Sequence, residues 1–484
     1  MLVMALDVGT SSARAACFDA DARPLPGAEG RVSFAPRAAP DGAVEFDADA
    51  LVDAVAAAVD GCLAGAGARA AEIAGVGASV FWHSLLALDA AGRPLTPLLT
   101  WADTRSAAAA AALRGRLDAR AVHARTGAPL HAAFYPARLA WLRASRPDVF
   151  ARAATWCGFA EYLLARLTGS LAVSVSMASG TGLLDQATMT WDAPLMAESA
   201  IGGDRLPAIS DAPARGLLPP WAGRWPALAR VPWLPGWGDG GCSNLGSDCA
   251  NPRRIALNVG TSAALRLVTT QVTAMPDGLW RYRIDAARSL VGGATSEGGN
   301  VLAWCREWLA LPAEAAFEEA LAERAPDSHG LTALPFLAGE RSPGWRDDAR
   351  AAITGLSLTT DAIDVAAALL EAVALRLSLV YERLAPLADA GHEVIASGGA
   401  LLRSPAWTRM LADAFGRPLT LSPEAEASSR GAALRTLDAL GAPLPPPAAS
   451  GRVVAPDPAR HAALRAARER QRRLYDNVVG PPHS

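Results

Sequence analysis

One short phrase occurs twice in this chain. Leu6-Asp7-Val8-Gly9-Thr10-Ser11 near the start recurs half a chain later as Leu257-Asn258-Val259-Gly260-Thr261-Ser262. Each copy follows an apolar run and leads into another, Ala15 to Phe18 and Ala263 to Val268. That pattern reads as strand, tight Gly-Thr turn, strand, with hydroxyls at the tip. Two such hairpins constrain the chain to two related lobes. Its 484 residues give room for two large lobes or about three smaller domains. Between and after the hairpins, strands and helices alternate, so the fold class is α/β. Helices are expected over 50–64, 105–120, 159–167, 299–309, 361–384 and 460–475, and strands over 73–79, 85–89 and 393–396. The stretch 207–235, rich in Pro, Gly and Trp, reads as loop. The boundary between lobes is expected near 236–250.

Composition narrows the chemistry. All 45 basic residues are arginine, because the chain contains no lysine. A Walker A loop needs a lysine on its phosphates. Schiff-base and pyridoxal phosphate enzymes need a lysine amine, and protein kinases need one on a strand. Any phosphate chemistry here must use another cradle. Drift from lysine to arginine in a GC-rich genome accounts for the absence, and the exclusions hold regardless. A net charge of −3 with no basic stripe argues against nucleic acid as a partner. Six scattered cysteines form no C-x-x-C, which argues against zinc and a disulfide framework. The sequence shows no leader pattern and no long uncharged apolar run. A soluble cytoplasmic protein, not bound to membrane, is therefore expected.

Asp7 ends a strand and is followed by Gly9, three hydroxyls (Thr10, Ser11, Ser12) and Arg14. Backbone N–H groups and hydroxyls at such a tip hold phosphate oxygens without lysine, and Arg14 adds a charge. Asp7 suits a hydrated Mg²⁺. An ordinary hairpin turn would look the same, but its duplication favours phosphate binding. Gly236-Trp237-Gly238-Asp239-Gly240-Gly241 surrounds one carboxylate with glycine; alone it reads as a linker turn. Ser397-Gly398-Gly399-Ala400 follows a strand and lacks the third glycine of a dinucleotide fingerprint, so it serves equally as a tight turn or a ligand contact. Trp82-His83 and Trp101-Ala102-Asp103-Thr104-Arg105 each combine an aromatic face with polar groups. That mixture suits a polyhydroxylated ligand, although core packing explains either segment equally well.

Taken in order, these residues resemble the FGGY family of carbohydrate kinases over nearly the whole chain. The anchors are Asp7 to Ser12, Gly238-Asp239, Gly260 to Ser262, Pro335 to Arg341, Gly355-Leu356 with Asp364 to Glu371, Ser397 to Ala400, and Ser428 to Ala432. Each is weak alone; seven in sequence are specific. Within the family the similarity is to gluconokinases, carried by His83 to Leu85, Leu95 to Ser106, Ser179 to Leu183, Ser243 to Gly246 and Gly339 to Arg341. Trp82 stands where a methionine is typical, and Phe81 where glutamine is common.

The resemblance implies a two-lobed actin-like, ribonuclease-H-like ATPase fold, with lobes 1–245 and 246–484 and the active site in the interlobe cleft. It implies ATP and Mg²⁺, with transfer of the γ-phosphate to a sugar or sugar-acid hydroxyl. D-Gluconate to 6-phosphogluconate is the leading substrate; xylulose or another ketose or polyol is the alternative. Asp239 would be the catalytic base and Asp7 the metal ligand. Trp82, His83, Trp101, Asp103 and Arg105 would bind sugar. Thr10, Ser11, Ser12, Arg14, Gly260, Thr261, Gly299, Gly398 and Gly399 would hold ATP. Arg105 and Arg341 are the candidates for a substrate carboxylate, and a homodimer is compatible with all of this. A non-catalytic sugar-binding regulator is the rival from another class; retention of Asp7 and Asp239 speaks against it. An actin-like or chaperone ATPase would share the hairpins but has no use for the Trp82-His83 and Trp101-Asp103 segments.

Overall fold

The computed structural model describes residues 1–271, 274–447 and 451–480. They pack as two compact units. The first comprises Met1–Asp248, Arg281–Leu290 and Glu426–Pro447; the second comprises Cys249–Trp280, Val291–Ala425 and Ala448–Ser484. The chain first passes to the second unit at Asp248/Cys249 and returns to the first at Arg281 and at Glu426, where continuous lobes 1–245 and 246–484 are the expectation.

In the first unit the central strand is Leu2–Val8, buried and apolar along its length except at Asp7. It runs antiparallel to Ser12–Phe18, which runs antiparallel to Pro24–Ser33. On its other side it pairs in parallel with Ile73–Val80. Trp237–Gly238 then pairs in parallel with Ile73–Val80. Antiparallel hairpin strands followed by parallel ones is the ribonuclease-H-like order. Helix Ala48–Ala66 packs on Ser12–Phe18 and Pro24–Ser33. Asp47 starts it by accepting from the N–H groups of Asp49 and Ala50, and Leu51, Val55, Val59 and Cys62 form its buried stripe. By length and composition alone this helix could cross a membrane, but here its stripe faces the sheet.

Helices Asp239–Gly246 and Ala427–Ala439 pack together, the latter against Leu2–Val8 and Ile73–Val80. They approach at backbone distance. A Cβ on Gly431 would lie 1.8 Å from the Cys242 carbonyl oxygen, and one on Gly246 would lie 1.8 Å from that of Ala427. Val3, Ala5, Phe18, Trp237, Cys242, Ala432 and Leu437 share this core. A second core, around Leu139 and Trp156, lies among the helices of residues 107–168. The single helix expected over 105–120 is two, Ala107–Arg114 and Ala119–Thr126. Gly115 ends the first, and the Asp118 carboxylate caps the second by accepting from the Ala121 N–H. Within the expected loop 207–235 lies a short helix, Pro219–Arg224. Trp221 stacks on Trp225 at 5.1 Å, and Trp225 on Trp233 at 6.3 Å, which orders the stretch.

The second unit repeats the strand order. Arg254–Val259 runs antiparallel to Ala263–Thr269 and parallel to Glu393–Ser397, which runs parallel to Leu419–Leu421. Ser289–Thr295 flanks Ala263–Thr269. The two hairpins differ in one detail: Val8 faces Ala13, but Val259 faces Ala263, so the second loop is one residue shorter. Helix Ala362–Leu384 crosses the core of this unit and is buried on most sides. Asp361 and Asp364 close its start with a reciprocal capping box.

Candidate active site

In the first unit three parallel strands end side by side. Asp7 is in register with Ser79, and Ser79 with Trp237. Ligands of parallel sheets gather at the carboxyl ends of the strands. That end carries Asp7, Trp82, His83 and Asp239. Asp239 opens helix Asp239–Gly246 behind the N-cap Gly238, where the helix dipole favours negative charge. Burial pushes the Asp7 carboxyl up to about 6; the Ser79 hydroxyl and Arg14 pull it down, and the Asp239 carboxylate beside it pushes it further up. Two carboxylates in mutual repulsion suit a divalent cation. Magnesium takes one or two carboxylates and fills the rest of its octahedron with water and phosphate oxygens. Among the described residues no cluster of three or more acidic, histidine or cysteine ligands occurs.

The hairpin after Asp7 is closed by the Gly9 N–H donating to the Ser12 carbonyl at 3.0 Å. Ser12 is buried, Thr10 half-buried and Ser11 exposed, so Thr10 and Ser11 are the hydroxyls within a ligand's reach. Arg14 lies across the hairpin from Asp7 and forms an ion pair with Glu426.

Trp82 and His83 stand in an aromatic wall. The Trp82 indole is buried, lies flush against Gly180 and Gly238, and donates from Nε1 to the Ser176 carbonyl at 3.2 Å. It therefore backs the loop that presents Asp239. Its ring is 4.9 Å from that of Tyr282. His83 has φ +62, a left-handed conformation that costs a residue with a Cβ about 1–2 kcal/mol. Its Nδ1 lies 2.6 Å from the Gly180 carbonyl, which can only accept, so Nδ1 carries the proton. Nε2 is then the acceptor, 3.4 Å from the Tyr282 hydroxyl. Phe134 meets the imidazole edge-on at 5.0 Å. Tyr282 and Phe134 were not singled out by the sequence. Both sit in unremarkable segments that only the tertiary fold brings to His83. Phe81 points the other way, stacked on Phe159 in the interior.

Trp101 is partly exposed, at 37%. Asp103 and Arg105 turn their charges inward. Asp103 is buried and accepts from the Val44 N–H and from Arg105. Arg105 also donates to Glu45 at 2.9 Å and lies over the Trp141 ring at 4.8 Å. This network locks the Trp101 loop to strand Val44–Phe46.

In the second unit the expected nucleotide residues converge. The Gly299 N–H donates to the Gly260 carbonyl at 2.7 Å, and the Asn300 N–H to Thr261 at 3.1 Å. A Cβ on Gly299 would touch that of Ala400 at 3.3 Å. Gly398 has φ +108 and abuts the Val259 carbonyl, a position only glycine fills without strain. The Asn258 amide donates to the Ser397 hydroxyl at 3.1 Å, tying the two strand ends together. Thr261 and Gly399 remain exposed. Arg341 donates to the Thr295 carbonyl within this unit.

Two ribonuclease-H-like units, each opening on a Gly-Thr-Ser hairpin, define the actin-like ATPase class. Comparison with known proteins gives the family. The model of the FGGY carbohydrate kinase N-terminal domain matches residues 2–246, and that of the C-terminal domain matches 255–440. The chain belongs to the FGGY family of carbohydrate kinases. It is 30% identical over 375 residues to a gluconokinase of Bacillus subtilis, covering 74% of this chain and 73% of that one. A gluconate kinase structure from Lactobacillus acidophilus superposes with a TM-score of 0.90 at 26% identity, covering 99% of both chains. A ligand-bound xylulose kinase from the same organism gives 0.89 at 26%, again over 99% of both. The protein is thus an ATP-using carbohydrate kinase with a gluconokinase-like sequence.

Proposed function

We propose that the protein transfers the γ-phosphate of Mg-ATP to the terminal hydroxyl of D-gluconate, forming 6-phosphogluconate in the cytoplasm. The observation that carries the reading is the position of Asp239, at a helix N-terminus beside Asp7 and directly after Gly238, which abuts Trp82. Phosphoryl transfer needs positioning and charge neutralisation more than covalent help. In this reading Asp239 accepts the proton of the attacking hydroxyl. Asp7 holds the magnesium ion, which neutralises phosphate charge when bound. Trp82, His83, Tyr282 and Trp101 shape the sugar site, and His83 Nε2 accepts from a sugar hydroxyl. Asp103 and Arg105 hold the Trp101 loop in place. Thr10, Ser11 and Arg14 meet phosphate oxygens from the first unit. Within the second unit, Gly260, Thr261, Gly299, Gly398 and Gly399 are the residues assigned to ATP. The choice of gluconate is supported by the gluconokinase-like sequence; similarity to a xylulose kinase structure keeps a ketose as the rival.

A coupled ADP-release assay with gluconate, xylulose, ribulose and glycerol tests the substrate. Gluconate should give the highest kcat/KM. Release with xylulose or glycerol alone would overturn gluconate, and sugar binding without release from any would favour a regulator.

The hairpins are tested separately. Thr10→Val and Thr261→Val should each raise the KM for ATP while leaving that for sugar unchanged. A hydrogen bond to a charged group contributes about 1.5–3 kcal/mol, so the loss should be roughly ten- to hundredfold. Unchanged ATP kinetics in both variants would remove the phosphate role of the hairpins.

A further inference from the structure

We propose that Arg138 is a positioning residue for the sugar site, acting through His83. It sits on helix Tyr135–Ser145 and is 1% exposed. Its guanidinium makes three contacts, all to backbone carbonyls. One goes to His83, one to Thr100, and one, from Nε at 3.2 Å, to Ala132. Those carbonyls belong to or adjoin His83, Trp101 and His131, on three segments far apart in sequence. A planar fork with five donors in fixed directions can hold three carbonyls at once. One helical turn earlier, the Tyr135 hydroxyl donates to the Ser84 carbonyl at 2.8 Å. The left-handed turn at His83 is therefore gripped at two consecutive carbonyls from one helix face.

The charge explains why this is a device for holding loops. Burial lowers the guanidinium to about 10, and Asp103 is the carboxylate whose field supports it. A buried cation without a bonded carboxylate is costly unless its nitrogens find acceptors. Each of the three nitrogens makes one bond, so pulling any of the three carbonyls away would leave a buried nitrogen without a partner. The three loops are thus coupled: His83 keeps its orientation because the Trp101 and Ala132 segments keep theirs.

The inference rests on the reading of His83 as a sugar contact, and the experiment separates the two. Arg138→Met and Arg138→Lys are made in the full-length protein, alone and combined with His83→Ala. Kinetics use whichever sugar the panel identifies. Arg138→Met should raise the KM for sugar roughly tenfold or more, on the scale of hydrogen bonds to a charged group. The KM for ATP should change less than about twofold, and Arg138→Lys should recover part of the loss. In the His83→Ala background the Arg138→Met effect should shrink, because coupled residues are not additive. Equal rises in both Michaelis constants, or full additivity, would overturn the proposal. So would loss of the fold in both Arg138 variants, which would mark a general structural role. A His83→Ala variant with normal sugar KM would instead overturn the sugar-site reading itself.

Discussion

Replacing Asp239 with asparagine is expected to lower kcat by about 10²–10⁴, the usual scale of general-base catalysis. Asparagine keeps the size and one acceptor oxygen but cannot take the proton. The helix that presents position 239 starts from Gly238, and the Asp239 carboxylate accepts from the Gly240 N–H at 2.7 Å; the asparagine side-chain oxygen can accept the same bond, so the helix should persist. Removing one of two repelling carboxylates also relieves Asp7, whose carboxyl is pushed up by Asp239. The variant should therefore melt no lower than the parent, and ATP and sugar should still bind, as read by calorimetry. Near-normal turnover in a folded Asp239→Asn protein would move the base role elsewhere. Loss of sugar binding together with turnover would reassign Asp239 as a ligand of the substrate hydroxyl.

The second large effect is expected at Gly431, which packs on the backbone of helix Asp239–Gly246. Helix propensity alone predicts that Gly431→Ala stabilises the protein by about 1 kcal/mol. Packing predicts the opposite. The new methyl would sit 1.8 Å from the Cys242 carbonyl oxygen, with the Cys242 Cα at 2.8 Å. Both atoms are backbone, so no side chain can swing aside. Overpacking a rigid contact costs about 1–3 kcal/mol and occasionally more, and this contact belongs at the upper end. Sterics win over propensity. For a unit of this size, about 3 kcal/mol corresponds to a fall in Tm of roughly 5 °C. The helix that yields carries Asp239, so kcat of the remaining folded protein should fall too. Gly223→Ala is the control: a Cβ there meets nothing within 4 Å, and Tm should hold or rise slightly. A Gly431→Ala protein as stable as the parent would show that the two helices can separate at no cost.

These two positions also mark what the sequence could disclose. The glycines around Asp239 alone read as a linker turn, and the base role assigned to Asp239 comes only from the family resemblance. The hairpins were legible because they are duplicated, and their strands, with Ile73–Val80, fall where apolar runs placed them. Helix 105–120 was misread as continuous because alanine propensity hides the break at Gly115 and the cap at Asp118. Tyr282 and Arg138 left no signal. Each acts through partners distant in the chain, and each sits in a segment with no unusual composition. Arg105 stood as a candidate partner of a substrate carboxylate; Glu45, 60 residues away, accepts from it. The Ser428 to Ala432 motif was visible as a family anchor, but its physical reason, a glycine seated on the backbone behind Asp239, is a tertiary fact.

Helix Ala427–Ala439 belongs to the first unit although it is encoded near the end of the chain. During synthesis, N-terminal domains ordinarily fold as soon as they emerge. Here the apolar surface of Val3, Ala5, Trp237 and Cys242 must wait for Ala432 and Leu437. At about 5–20 residues per second, the wait between the emergence of Asp248 and that of this helix is on the order of ten to forty seconds. Throughout it the nascent chain exposes the underside of helix Asp239–Gly246. Release of a shortened chain within that window would leave a sticky fragment, because the Asp239 helix acquires its support only once residues 427–439 have been made.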